Sequence, residues 1–185
     1  MPRLIVFNSI TLDGYFTDRK GDISWAHKND PEWNAFVTDN ASGGGRLLFG
    51  RVTYELMASF WPTPEAMKQM PVVAERMNNL PKVVFSRTMD KASWNNTKVV
   101  NGNIGAEVRR MKEEPGEDMV IMGSGTIVSQ LTPERLIDEY QLVVNPIILG
   151  EGRTMFEGVK VKLSLKQTKT RTFDNGSVLL CYEPA

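Results

Sequence analysis

The chain has little of what many catalytic centres are built from. Among its 185 residues there is one cysteine, Cys181, and one histidine, His27. One of each cannot supply the four ligands of a His/Cys zinc site. Nor can a single cysteine close a disulfide within the chain, so the fold needs no oxidising compartment. A Ser-His-Asp or Cys-His triad could draw only on His27 as its base. Net charge is missing too: 22 Lys+Arg stand against 22 Asp+Glu, which gives no overall pull toward nucleic acid or an anionic membrane. No apolar run approaches the ~20 residues needed to span a bilayer, and the one over residues 142–149 is broken by Asn145 and Pro146. The first ten residues lack a signal-peptide apolar region, so a cytoplasmic location is the expectation.

What is present is an ordinary globular composition, 41% hydrophobic and 24% charged. A chain of this length buries roughly 70% of its unfolded surface, and one domain over residues 1–185 is the economical expectation. Short apolar, β-branched runs at 3–10, 46–49, 82–85, 98–100, 118–122 and 138–149 read as strands. Helical spacing falls between them. Asp30-Pro31-Glu32 is a helix start, with an N-cap acid, a proline at the first position and an acid in the first turn. The run Ser42-Gly43-Gly44-Gly45 stops that helix. Val52, Leu56 and Phe60 mark a second helix, residues 65–80 a further stretch interrupted by Pro71, and residues 104–113 and 126–131 two more. Residues 11–22 read as a loop with two turn signals. Residues 163–173 and 177–183, joined by Asp174-Asn175-Gly176, read as an antiparallel hairpin. The alternation predicts an α/β fold, mainly parallel, with an antiparallel C-terminal edge.

Three strands end alike, at Phe49-Gly50-Arg51-Val52-Thr53, Phe85-Ser86-Arg87-Thr88 and Met122-Gly123-Ser124-Gly125-Thr126. In an open parallel sheet such junctions lie along one edge, where ligands bind. Backbone N–H groups, hydroxyls and two arginines there suit phosphate capture, although a glycine after a strand is also a plain turn. The Walker A pattern and GxGxxG are both absent, which disfavours an ordinary Rossmann dehydrogenase.

Taken in order, several runs carry a resemblance. They are Ser9-x-x-x-Asp13-Gly14, Leu48-Phe49-Gly50-Arg51-x-Thr53-Tyr54-Glu55, Ser86-Arg87, Ile121-Met122-Gly123-Ser124-Gly125, and Asp138-Glu139 through Pro146-x-x-Leu149-Gly150-Glu151-Gly152. The chain resembles the dihydrofolate reductase-like superfamily, most of all the reductase domain of the bifunctional deaminase-reductase of riboflavin synthesis. The resemblance implies a three-layer α/β fold, a small-molecule reductase activity with NADPH as cofactor, and a homodimer with the late strands as its surface. It implies that Gly50, Arg51 and Thr53 hold the diphosphate and that Ser86 and Arg87 hold the adenosine 2′-phosphate, which suits an arginine fork. It further implies that Gly123, Ser124, Gly125 and Thr126 let the backbone approach the nicotinamide side. The substrate would be pterin-like or ribosylaminopyrimidine-like.

A proton donor is expected beside the hydride. By position on the first helix Glu32 is the candidate, and Asp13 and Glu151 stand in family-like loops. Each has a plainer role open to it: a first-turn dipole acid, a turn former before Gly14, and a solvated loop acid. The zinc deaminase signature needs more His and Cys than the chain has, so a stand-alone reductase domain is expected, with no metal, nucleic-acid or membrane partner. Two rivals stay open: a non-catalytic dinucleotide-binding oligomeric module, and an enzyme that uses the same helix ends for a sugar phosphate.

Overall fold

The computed structural model describes residues 1–27, 30–42 and 45–185. Ten strands, six α-helices and one short 3-10 helix (Ser24–Ala26) follow along the described residues. They begin β1 (Leu4–Thr11), β2 (Tyr15–Thr17), α1 (Pro31–Ser42), β3 (Arg46–Gly50), α2 (Arg51–Phe60), α3 (Pro64–Gln69), α4 (Pro71–Asn79), β4 (Lys82–Phe85) and β5 (Thr97–Val100). They continue α5 (Ile104–Glu113), β6 (Met119–Met122), α6 (Gly125–Leu131), β7 (Glu139–Asn145), β8 (Arg153–Thr154), β9 (Leu165–Thr172) and β10 (Val178–Pro184). No helix among the described residues is long and apolar enough to cross a membrane.

Local chemistry sets the boundaries. Asp30 Oδ1 accepts from Trp33 N at 3.1 Å, capping α1. Thr63 and Asn103 cap α3 and α5 in the same way, at 3.2 and 2.8 Å. Pro71 opens α4 and so does not interrupt one long helix, because a first-turn residue has no intrahelical N–H bond to lose. Of the expected glycine stop of α1, Gly43 and Gly44 lie outside the described residues.

Eight strands form one sheet in the order β5-β4-β3-β6-β1-β7-β10-β9. Pairing is parallel from β5 through β7. It turns antiparallel at β10 and again at β9, the hairpin that Asn175-Gly176 foretold. Side chains alternate between two cores. Leu48, Ile121 and Val6 face α5 and α6, packing on Val108, Met111, Ile127 and Leu131. Leu47, Phe49 and Val84 face the other way, on Tyr54, Val73 and Met77 of α2 and α4. Trp33 and Phe36 of α1 close over Val143, Phe173 and Leu179 farther along that same face. With helices on both faces the sheet is the middle of three layers, and a fully buried apolar side chain contributes about 1.5–3 kcal/mol.

Two expectations need correction. The stretch 11–22 holds a strand, β2, which pairs antiparallel with β8; neither short segment has the alternation that would reveal it alone. In α2 the stripe Val52, Leu56 and Phe60 signalled a helix but faces out, 59%, 44% and 38% exposed. The inner face is carried by Tyr54, Met57, Ala58 and Trp61.

Lys82 is a cation inside this packing, 1% exposed. Its Nζ donates to the carbonyls of Leu80 (2.6 Å) and Asn78 (3.1 Å) and sits 4.6 Å from the centre of the Trp94 ring. Burial pulls its pKa from 10.5 down to about 8. Between those values the unfolded chain holds the proton more tightly, so this residue's contribution to stability rises with pH; below about 8 its full penalty is in force. Urea denaturation should show wild type gaining on Lys82→Met as pH climbs through that window, by on the order of 3 kcal/mol in total. A wild-type-to-variant difference independent of pH would contradict it.

Candidate active site

Strands β4, β3 and β6 are neighbours, so the three expected junctions line one sheet edge at about 4.8 Å spacing. Two of them touch. A Cβ placed on Gly50 would fall 2.0 Å from Ser124 Oγ and 3.0 Å from Ser124 Cβ. In return, a Cβ on Gly123 would stand 3.0 and 3.1 Å from Cγ2 and Oγ1 of Thr53. Glycine at both positions lets the end of β6 close on the start of α2. Ser124 takes a left-handed backbone, φ 69° and ψ 76°, a conformation that costs a non-glycine residue of order 1 kcal/mol. The N-cap of α2 is Gly50, which has no side chain to cap it, so the first N–H groups keep their capacity to bind an anion. Arg51 is exposed and pairs with Glu55 at 3.0 Å. Thr126 is exposed in the first turn of α6.

The third junction is shaped from within. Ser86 is 9% exposed, and its Oγ accepts from Met89 N at 3.0 Å and Thr88 N at 3.2 Å. The hydroxyl thus forms the turn, and Arg87 at its apex is exposed.

The β2–β8 ribbon covers the neighbouring part of the edge. Phe16 and the Thr154 carbonyl come so close to Gly125 that a Cβ there would lie 2.9 and 3.1 Å from them. Asp13 fastens the loops that carry this ribbon. Its Oδ1 accepts from Thr11 Oγ1 (2.6 Å) and Leu149 N (3.3 Å), and its Oδ2 from Gly150 N (2.8 Å). The Thr11 hydroxyl, aided by the Gly150 and Leu149 amides, holds this carboxyl below the usual carboxylate range. Glu151 is exposed and pairs at 3.2 Å with Arg19, which follows β2, so the loop before β8 is tied on both sides of β2.

Glu32 is engaged elsewhere. It accepts from Asp174 N at 3.0 Å and pairs with Arg171 Nη2 at 3.1 Å. The Asp174 amide first, and Arg171 second, lower its pKa. Arg171 lies over Phe173 and Phe36, 4.8 and 5.5 Å from the ring centres. Glu32 therefore ties α1 to β9 and the hairpin turn, with β1, β7 and β10 between β9 and β6. The structure brings together Gly50, Thr53, Gly123 and Ser124, sets Ser86 and Arg87 at the end of the adjacent strand, and leaves Glu32 on the β9–β10 turn, several strands across the sheet and past the C-terminal end of β7.

Sequence reasoning missed Phe16 and Thr154, whose contacts depend on a pairing with no local signal, missed Thr11, whose hydroxyl serves its near neighbours Asp13 and Tyr15, and gave Tyr54 and Trp94 no role in the site. A hollow of about 450 Å³ lies on the opposite sheet edge, bounded by Arg46, Lys82, Lys98, Glu107 and Arg110, at the N-terminal ends of β3, β4 and β5. Its charges satisfy each other: Arg110 and Lys98 hold the Glu107 carboxyl down to about 2.

Because the Glu32 pKa is lowered on folding, its contribution is present above the unfolded value of 4.5 and is lost as pH falls through the folded one. Glu32→Gln should therefore melt below wild type at neutral pH, and the two melting temperatures should converge in acid. A gap that does not shrink as pH falls through the carboxylate range would show that the ion pair is not its source.

With this geometry described, comparison with known proteins is direct. Residues 2–179 match the family model of the RibD C-terminal domain. The uncharacterised protein YyaP of Bacillus subtilis (strain 168) is 31% identical over 97% of this chain and 94% of its own length. A protein of Shewanella sp. PV-4 assigned provisionally to riboflavin biosynthesis superposes with a TM-score of 0.72 at 23% identity, covering 99% of both chains. The diaminohydroxyphosphoribosylaminopyrimidine deaminase/5-amino-6-(5-phosphoribosylamino)uracil reductase of Thermotoga maritima gives 0.70 at 17% identity, with all of this chain on 57% of that one. The dihydrofolate reductase of Enterococcus faecalis, solved with NADP(H), gives 0.65 at 15% identity over 98% and 96% of the two chains. The fold is dihydrofolate reductase-like, and the chain belongs to the RibD C-terminal domain family.

Proposed function

We propose that this protein is an NADPH-dependent reductase that transfers a hydride to a pterin-like or ribosylaminopyrimidine-like substrate. The observation that carries this is the meeting of Gly50 and Thr53 with Gly123 and Ser124 on the edge where β4 presents Arg87. Glycine at positions 50 and 123 lets the ends of β3 and β6 close on each other beside the first turn of α2, and that turn, whose N-cap Gly50 has no side chain to offer, suits a diphosphate. Arg51 and Arg87 supply exposed guanidinium groups, Arg87 for the 2′-phosphate. Thr126 and the 123–125 turn border the nicotinamide side. Membership of the RibD C-terminal domain family, and the reductase named among the solved structures of this fold, support the same activity.

NADPH supplies the hydride when bound, and the protein supplies position and electrostatics. The hydride adds to an electrophilic carbon of the substrate, and a proton completes the reduction at the adjacent atom. Asp13, Glu32 and Glu151 each already serve hydrogen-bond donors or an arginine, so we place the source of that proton in water at the mouth of the site. In this proposal Asp13 holds the β2–β8 ribbon in place and Glu32 holds the hairpin. The engagement of all three acids is also what favours a second possibility, a dinucleotide-binding module without turnover. A homodimer belongs to the proposal and is tested by light scattering.

Titration with NADPH, followed by nicotinamide fluorescence and thermal shift, should show saturable binding. Arg87→Ala should raise the Kd for NADPH by about 10-fold or more while leaving NADH within about twofold. Equal losses for both would remove Arg87 from the 2′-phosphate. Turnover of any pterin or aminopyrimidine would exclude the module without turnover. In that case kcat/KM should show no inflection from a protein carboxyl between about pH 5 and 7.

A further inference from the structure

The loop that presents Arg87 is tied down at both ends, and the tie at its far end lies outside the expected cofactor contacts. At its start Ser86 Oγ holds the Thr88 and Met89 amides, and Ser86 N donates to Val100 O at 3.0 Å. At its far end stands Trp94. Its backbone N–H donates to Tyr54 Oη at 2.8 Å, and its indole Nε1 donates to Asn78 Oδ1 at 2.7 Å. Tyr54 and Trp94 are 2% and 5% exposed. Both rings pack on Phe49, with centroids 6.4 and 6.1 Å from it. Phe49 immediately precedes Gly50, and Tyr54 immediately follows Thr53. One turn of α2 thus carries two expected diphosphate contacts, Arg51 and Thr53, and also the anchor of the loop bearing Arg87.

A long exposed arginine on an unanchored loop would have to be ordered at the moment of binding, at a cost in affinity. Here the ordering is built in, because a buried amide without its acceptor is strongly disfavoured. We propose that Tyr54, acting through the backbone of Trp94, is a positioning residue that fixes Arg87 relative to the diphosphate cradle and so sets the preference for a 2′-phosphorylated dinucleotide. It touches no part of the cofactor. This inference rests on the NADPH proposal above and deepens it.

The test is a double-mutant cycle read in cofactor selectivity. Dissociation constants for NADPH and NADH are measured for wild type, Tyr54→Phe, Arg87→Ala and the double variant. Tyr54→Phe deletes only the hydroxyl, and it should narrow the preference for NADPH about 3- to 10-fold, with NADH binding within about twofold of wild type. In the Arg87→Ala background the same change should have no further effect on that preference. Trp94→Phe keeps the backbone N–H and loses the indole donor. It should narrow the preference in the same direction by less, and it carries the test alone if Tyr54→Phe does not fold. Unchanged selectivity beside a lowered melting temperature would overturn the inference, as would additive effects of the two substitutions. Wild type that binds neither dinucleotide would overturn the cofactor proposal itself, and this inference with it. Wild type that binds NADPH selectively, with no response at Tyr54 or Trp94, would overturn only the inference.

Discussion

The structure depends most on one steric fact: the end of β6 and the start of α2 occupy nearly the same space. Gly50 has no room for a side chain because Ser124 is there, and Gly123 has almost none because Thr53 is there. That approach is possible only because β3 and β6 are parallel neighbours, so that both end on the same edge and both feed a helix from it. The sheet order is in turn held by two cores of opposite facing, which fix the register of every strand between them.

Around this contact, charge is used mostly to fasten. Asp13 ties the loop after β1 to the loop after β7, and Arg19, in the loop after β2, ties to the same β7–β8 loop through Glu151. Glu32 ties α1 to the last hairpin. Each carboxylate accepts from a donor far from it in sequence; the charged form is stabilised at Asp13 by the nearby Thr11 hydroxyl first and the Gly150 and Leu149 amides after it, and at Glu32 by the Asp174 amide and Arg171. The positive groups at the cradle differ. Arg51 has only a partner one helical turn away, and Arg87 has none among the described residues. The edge therefore keeps its negative groups occupied and its positive ones accessible, the arrangement a polyanionic ligand needs.

Much of this was legible in the residues. The helices starting at Pro31, Arg51 and Ile104, the buried strands at residues 46–49 and 82–85, and the Asn175-Gly176 hairpin each announce themselves through caps, proline placement or apolar runs. Where local signals were weak or ambiguous the reading missed. β2 and β8 are three and two residues long and exist because they pair with each other. The stripe of α2 identified a helix correctly but not its inner face, since periodicity shows that a helix has a face without showing which neighbour covers it. For the site, the three glycine-rich and serine-rich junctions were visible as similar strings. That two of them touch, and that Ser86 spends its hydroxyl on its own turn, was not.

The sequence by itself determined which chemistry is available. One histidine and one cysteine confine a nucleophilic triad to a single base, and the balance of charge leaves recognition to local groups such as Arg51 and Arg87. It also determined the order of strands and helices, because caps, breakers and apolar period act over a few residues. Only the tertiary structure decided which of those residues meet. Tyr54 and Trp94 are 40 positions apart and share one hydrogen bond; Glu32 and Asp174 are 142 apart and share another. Such contacts follow from the crossing order of the sheet, which brings distant segments within 3 Å of each other and leaves no trace in the local pattern of either.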